Sequence, residues 1–144
     1  MNLSWMILLT TALPALAPIA WGAWLMRRAG RSSDWPVVPA TILASRAVQQ
    51  GSARSPRLEF AYSMAGQPRT GKRLWVGPRS IAVTGGWADR VVARYPMGAV
   101  VPAAVDPQDP GYAVLEPGLQ AMHLLPMGIG LFILAGGVFA AAVA

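Results

Sequence analysis

Arg57-Leu58-Glu59-Phe60-Ala61-Tyr62-Ser63-Met64 alternates residue by residue. Leu58, Phe60, Tyr62 and Met64 share one face, and Arg57, Glu59, Ala61 and Ser63 share the other. A period of two marks a half-buried β-strand, so the first set is expected to face an interior. Ala65-Gly66-Gln67-Pro68 follows as a turn, with glycine supplying unusual backbone angles. Arg69 to Val76 then returns as the hairpin partner. Upstream, Val37 to Val48 reads as a first strand, interrupted early by Pro39.

Downstream the period changes. In Thr84 to Tyr95, Trp87, Val91 and Tyr95 fall at i, i+4 and i+8, and Ala88 and Val92 widen the stripe. This predicts a short helix capped by Thr84, with Asp89 near its positive end and Arg94 in its last turn. Pro96 and Gly98 stop it. Ala99 to Val105 and Tyr112 to Leu115 read as two further strands, separated by Asp106-Pro107-Gln108-Asp109-Pro110.

On either side of this middle the charges vanish. Met1 to Met26 and Pro117 to Ala144 contain no Asp, Glu, Lys or Arg. Each is long enough to cross a bilayer, which takes about 20 apolar residues. Ala15-Leu16-Ala17 resembles a signal-peptide cleavage site, but no basic region precedes it and Pro18 would follow the cut. Leu3 to Met26 therefore reads as a retained span, with Pro14 and Pro18 inside it and Trp5, Trp21 and Trp24 near its ends. The division expected is 1–26 first span, 27–34 linker, 35–117 β-rich module and 118–144 second span. The fold class is membrane α+β: two transmembrane helices flank a small, mostly antiparallel β module with one short helix.

Arg27, Arg28 and Arg31 follow the first span, and positive flanks stay in the cytoplasm. The expected location is a bacterial inner membrane, with both termini outside and the module inside. The bacterial assignment rests on composition: Arg outnumbers Lys eleven to one, and Ala, Gly and Pro abound. The second span carries small residues every four positions, Gly136, Ala140 and Ala144, and likewise Gly137 and Ala141. Such faces let helices approach closely, against the first span or a second copy.

The order of short motifs carries a resemblance. Trp35-Pro36 opens a strand, followed by Glu59-Phe60-Ala61-Tyr62-Ser63 and Gly66. Then come Tyr95-Pro96-Met97-Gly98, Asp106-Pro107-Gln108-Asp109-Pro110 and Leu115-Glu116-Pro117-Gly118. Over Trp35 to Gly118 the chain resembles the bacterial membrane-protein family catalogued as domain of unknown function 3592. The resemblance implies flanking transmembrane helices and brings no activity with it. Phe60 stands where that family usually has its first tyrosine, and Pro102-Ala103-Ala104 replaces a more regular strand.

Motifs with chemical potential are few. The chain has no cysteine, which excludes disulfides and thiol chemistry. Gly66-Gln67-Pro68-Arg69-Thr70-Gly71-Lys72-Arg73 nearly matches a phosphate-binding loop. Arg73, however, replaces the hydroxyl that binds magnesium, and Pro68 deletes one backbone donor. No nucleotide is expected there, and no cofactor or metal is expected elsewhere. His123, the single histidine, falls at the start of the second span, away from a carboxylate partner. Asp106 and Asp109 suit turn chemistry. Trp75, Trp87 and Tyr95 suit core or membrane-surface anchoring.

The formal charge of +6 belongs to the middle module, without a recognised nucleic-acid motif. Arg69, Lys72, Arg73 and Arg79 crowd one hairpin and are the expected contacts for anionic lipid or an acidic partner. Gly136, Gly137, Ala140 and Ala141 are the expected helix-packing positions. These readings converge on a non-enzymatic interaction or scaffold module that meets membrane lipids, a protein partner or its own copy, with no nucleic acid. An accessory subunit of a membrane complex is one form this would take. The alternative is a small membrane-associated enzyme or transport component using Glu59, Glu116, Asp106 or Asp109.

Overall fold

The computed structural model describes residues 2–143, so Met1 and Ala144, at the outer ends of the two expected spans, lie outside the described residues. The chain forms two compact units: residues 29–118, and the terminal segments 1–28 and 119–144. Helix α1 runs over Leu3–Ser32, and helix α3 over Leu125–Val143 after a 3-10 turn at Ala121–Leu124. Between them lie strands β1 (Val37–Gln50), β2 (Ala53–Met64) and β3 (Gln67–Gly71). Helix α2 (Trp87–Arg94) and strands β4 (Val100–Asp106) and β5 (Asp109–Val114) follow.

In the terminal unit, Leu3–Ser32 and Ala121–Val143 are long and apolar enough to cross a membrane. Their side chains are largely exposed: Phe132 and Phe139 show 80% and 71% of their surface. Two bare helices of this composition are unstable against water and suited to hydrocarbon. Helix α1 does not stop at Met26. It continues through Arg27-Arg28-Ala29-Gly30-Arg31-Ser32, the stretch read as a linker. Pro14 and Pro18 both lie within the helix.

The central unit is a five-stranded sheet in the order β3-β2-β1-β4-β5, every neighbouring pair antiparallel. The sheet closes on itself. Past β3, Arg73 bridges Val114 of the far edge strand in parallel. Leu115 N–H donates to Arg73 O at 3.3 Å, and Glu116 N–H donates to Leu74 O at 2.6 Å. From β2, Tyr62 Oη donates to Pro110 O on β5 at 2.7 Å. The result is a small, partly open barrel, in which the β3 and β5 sides of the sheet meet while part of the β2 edge stays uncovered. A register shift between Ile42 and Ala44 supplies a bulge in β1, and bulges sharpen the bend of a strand.

The interior holds the residues that alternation selects. Phe60 is fully buried, with Leu58 and Tyr62 at 6% and 4% exposure, whereas Met64 at the hairpin end is only half-buried. Ile42, Val76, Ala103, Val105 and Val114 are buried with them. Gly71 pairs with Phe60 across β2 and β3, and the Phe60 ring fills the place where a Cβ of residue 71 would sit. β3 ends at Gly71, sooner than the expected return strand to Val76.

Helix α2 is shorter than its apolar period suggests. Gly85 and Gly86 take positive φ of 85° and 74°, and Gly86 is the N-cap, so the helix starts at Trp87 and Thr84 does not cap it. Left-handed backbone at two successive positions is accessible to glycine at little cost. Ala88 and Val91 are buried, Tyr95 closes the stripe, and Trp87 stacks on Trp75 with ring centroids 5.3 Å apart. The strands at β4 and β5 begin one and three residues away from their expected starts, at Val100 and Asp109.

Entry to and exit from this unit are pinned together. Ser32, fully buried, donates to Ala29 O at 2.6 Å and accepts from Gly118 N–H at 2.7 Å.

Candidate functional site

The register of β1 and β2 places Ala44 opposite Glu59 and Arg46 opposite Arg57. These residues lie on the outer face, since their neighbours Leu58 and Phe60 point into the core. β3 covers β2 only from Phe60 to Met64. The chain then stands away and returns at Val83, whose N–H and C=O both bond Arg54, at 3.0 and 3.2 Å. Between those two attachments a groove of about 430 Å³ opens along β2. Arg46 and Arg57 form its floor with Val48, and Lys72, Arg79 and Ser80 stand along the other wall.

Four cations thus meet one carboxylate. Lys72 Nζ lies 3.6 Å from Glu59 Oε2, with both side chains substantially exposed. Arg46, Arg57 and Arg79 make no salt bridge among the described residues. Like charges directly opposite on neighbouring strands repel. The Arg46–Arg57 pair is therefore a local cost that packing does not explain.

Of the four residues expected at a basic hairpin, the fold separates two pairs. Arg69 pairs with Tyr62 in register, on the interior side, and its Nε is buried without a hydrogen-bond partner among the described residues. Arg73 donates to Gly77 O and lies over the Tyr112 ring at 4.5 Å. Lys72 and Arg79 line the groove, and both also border a second groove of about 380 Å³ with Arg73, Asp109 and Tyr112. Sequence proximity missed Arg46 and Arg57. The outward parity of Arg57 and Glu59 was the signal that could have found them, once β1 was paired.

The carboxylates do not gather. Glu116 accepts from Arg94 at 2.5 Å and from Tyr95 Oη at 3.0 Å. Burial first, and the adjacent Glu116 charge second, push the Tyr95 phenol up to about 12. Asp106 Oδ1 accepts from Gln108 N–H at 2.9 Å, the turn expected of Asp-Pro-Gln. Among the described residues no three of His, Cys, Asp and Glu are placed to hold a metal ion. The phosphate-loop lookalike is a tight turn followed by strand β3, so it has neither the loop nor the helix start that a phosphate cradle uses. His123 is buried, and its Nδ1 accepts from Gln120 N–H at 2.8 Å in a local capping box.

In the terminal unit the close approaches are made by other glycines than the expected stripe alone. A Cβ at Gly137 would overlap Thr11, and one at Gly130 would overlap Ile19. At Gly22 it would sit 2.8 Å from Met127 N. Gly136 has open space around it, and Ala140 and Ala141 are half-exposed. Ala144 lies outside the described residues.

Fold and site together define a class: a small β-barrel with a cationic outer groove, flanked by two helices of membrane-spanning length. The chain belongs to the family described as Domain of unknown function (DUF3592), whose family model matches residues 38–120. No curated protein and no solved structure is significantly similar to it.

Proposed function

We propose that this protein is a membrane-anchored, non-enzymatic interaction module that engages an anionic partner through the outer groove of its barrel. The observation that carries the reading is the groove itself, in which Arg46, Arg57, Lys72 and Arg79 face a single carboxylate, Glu59. Convergent positive charge selects partners and steers their approach. The two apolar helices support a membrane anchor, and the excess of Arg over Lys with abundant Ala, Gly and Pro favours a bacterial inner membrane. Arg27, Arg28 and Arg31 support a cytoplasmic barrel with both termini outside. An anionic leaflet and an acidic protein surface are both in reach of a barrel joined to a span at each end. The enzymatic alternative needs carboxylates in one pocket, whereas Glu59, Asp106, Asp109 and Glu116 serve separate local bonds or separate grooves.

The test uses the full chain in nanodiscs of neutral lipid, offered vesicles of phosphatidylglycerol or phosphatidylcholine and, separately, immobilised polyglutamate. Retention on both anionic surfaces, falling as salt rises, is the expected result. Equal retention on neutral vesicles, or no dependence on salt, would overturn the reading.

A further inference from the structure

Charge alone does not account for how the groove is built. Arg46 and Arg57 are exact cross-strand partners, so their side chains leave the sheet side by side on one face. Two adjacent guanidinium groups repel unless a shared anion lies between them. Each presents a planar fork suited to two oxygens of one centre. Arg79 and Lys72 approach from the opposite wall, on the segment that stands off β2. Glu59 neutralises one of these four cations, so the lining carries a net charge of +3 (four minus one). A volume of about 430 Å³ is within the range of small-ligand sites and holds a phosphate with a short ester.

We infer that this groove binds a phosphomonoester group, carried by a lipid headgroup or by a soluble ester. Such a group concentrates about 1.5 to 2 negative charges and three acceptor oxygens on one phosphorus near neutral pH. A phosphodiester carries one charge, and a carboxylate offers two oxygens in a plane. Both satisfy the paired arginines and the opposite wall less completely. The inference rests on the anionic-partner reading and narrows its chemistry. It is independent of the phosphate-loop lookalike, with which the groove shares only Lys72.

The experiment measures arginine modification by phenylglyoxal, residue by residue, in the full chain in phosphatidylcholine nanodiscs. One arm adds glycerol 1-phosphate. The other places phosphatidic acid in the nanodisc. Glutarate and phosphatidylglycerol are the comparison anions, and Arg90, exposed on α2, is the internal control. At ten times the dissociation constant, modification of Arg46, Arg57 and Arg79 should slow about tenfold, with Arg90 unchanged. Protection in the soluble arm alone assigns a soluble ester, and protection in the lipid arm alone assigns a headgroup; either supports the site. Glu59→Gln should tighten protection by removing the competing carboxylate, while Arg46→Gln should weaken it in a chain that still melts cooperatively. Equal protection by glutarate and phosphatidylglycerol would overturn the phosphomonoester inference and leave the anionic-partner reading standing. Protection by no anion would overturn both.

Discussion

Tyr95 ties the end of α2 to the chain's exit from the barrel, and its phenol is the module's clearest titrating handle. Its proton is held to about 12, against an ordinary value of 10.0, by burial and by the Glu116 carboxylate. Below pH 10 both folded and unfolded chains keep this proton, and its contribution to stability is complete. Between about pH 10 and 12 the unfolded chain releases the proton first, so stability falls, by roughly 1–3 kcal/mol for a shift of this size. Above that window no further loss comes from this group. Tyr62 is shifted in the same direction, chiefly by burial, so part of the alkaline loss belongs to it. Tyr95→Phe should therefore flatten the profile in that window without abolishing it, and should cost about 1 kcal/mol at neutral pH for the lost bond to Glu116. Denaturation midpoints measured from pH 8 to pH 12, alongside phenolate absorbance, check this. An unchanged alkaline slope in the Phe variant would count against the assignment.

At the level of elements, the sequence is most legible where neighbours along the chain do the work. β2 declares itself because Leu58, Phe60 and Tyr62 alternate with Arg57, Glu59 and Ala61, and the barrel buries the first set. α2 is visible through Val91 and Tyr95, but its start is not, because two left-handed glycines displace a plausible threonine cap. The close fit of the Phe60 ring over Gly71 is a contact between strands that no local pattern encodes. The helix glycines teach the same lesson. Gly136 and Gly137 are indistinguishable in sequence, yet only Gly137 meets the other helix. Gly137→Leu should destabilise the full chain in detergent by about 1–3 kcal/mol through overpacking, and Gly136→Leu should leave the melting temperature unchanged. Equal losses at both positions would contradict this packing.

The Arg46–Arg57 pair makes a second element-scale prediction, on strand pairing alone. Relieving a like-charge cross-strand pair should raise stability by about 0.2–1 kcal/mol at low salt, with the gain fading as salt is added. Arg46→Gln and Arg57→Gln should each show it, and the double variant should gain less than their sum, because the same repulsion is removed only once. Melting curves at low and high salt decide the matter. Destabilisation by both single variants would show that the guanidinium groups are held by contacts within the fold.

For the whole molecule, local reading found the parts and missed their assembly. Charge-free ends and a β-rich middle were plain from composition and period. Closure of the barrel joins Arg73 to Val114 and Tyr62 to Pro110, pairs more than 40 residues apart, and sequence spacing does not predict them. The groove needs that tertiary register. It draws Arg46, Arg57, Lys72 and Arg79 from β1, β2 and the segment after β3, while strand parity turns Arg69 inward. A basic hairpin read along the chain therefore became two outward cations joined by two distant ones.

The proposed arrangement is a barrel tethered by two spans, on the side of the membrane opposite both chain ends. The chain has no cysteine, so single thiols report position without background. Asn2→Cys and Ser52→Cys, each labelled in intact cells by a membrane-impermeant thiol reagent, test the arrangement directly. The account predicts that Asn2→Cys reacts in intact cells and that Ser52→Cys, between β1 and β2, reacts only after permeabilisation. Reaction of both, or of neither, in intact cells would place them on one side of the membrane and contradict the two-span tether. Reaction of Ser52→Cys alone would reverse the orientation drawn from Arg27, Arg28 and Arg31.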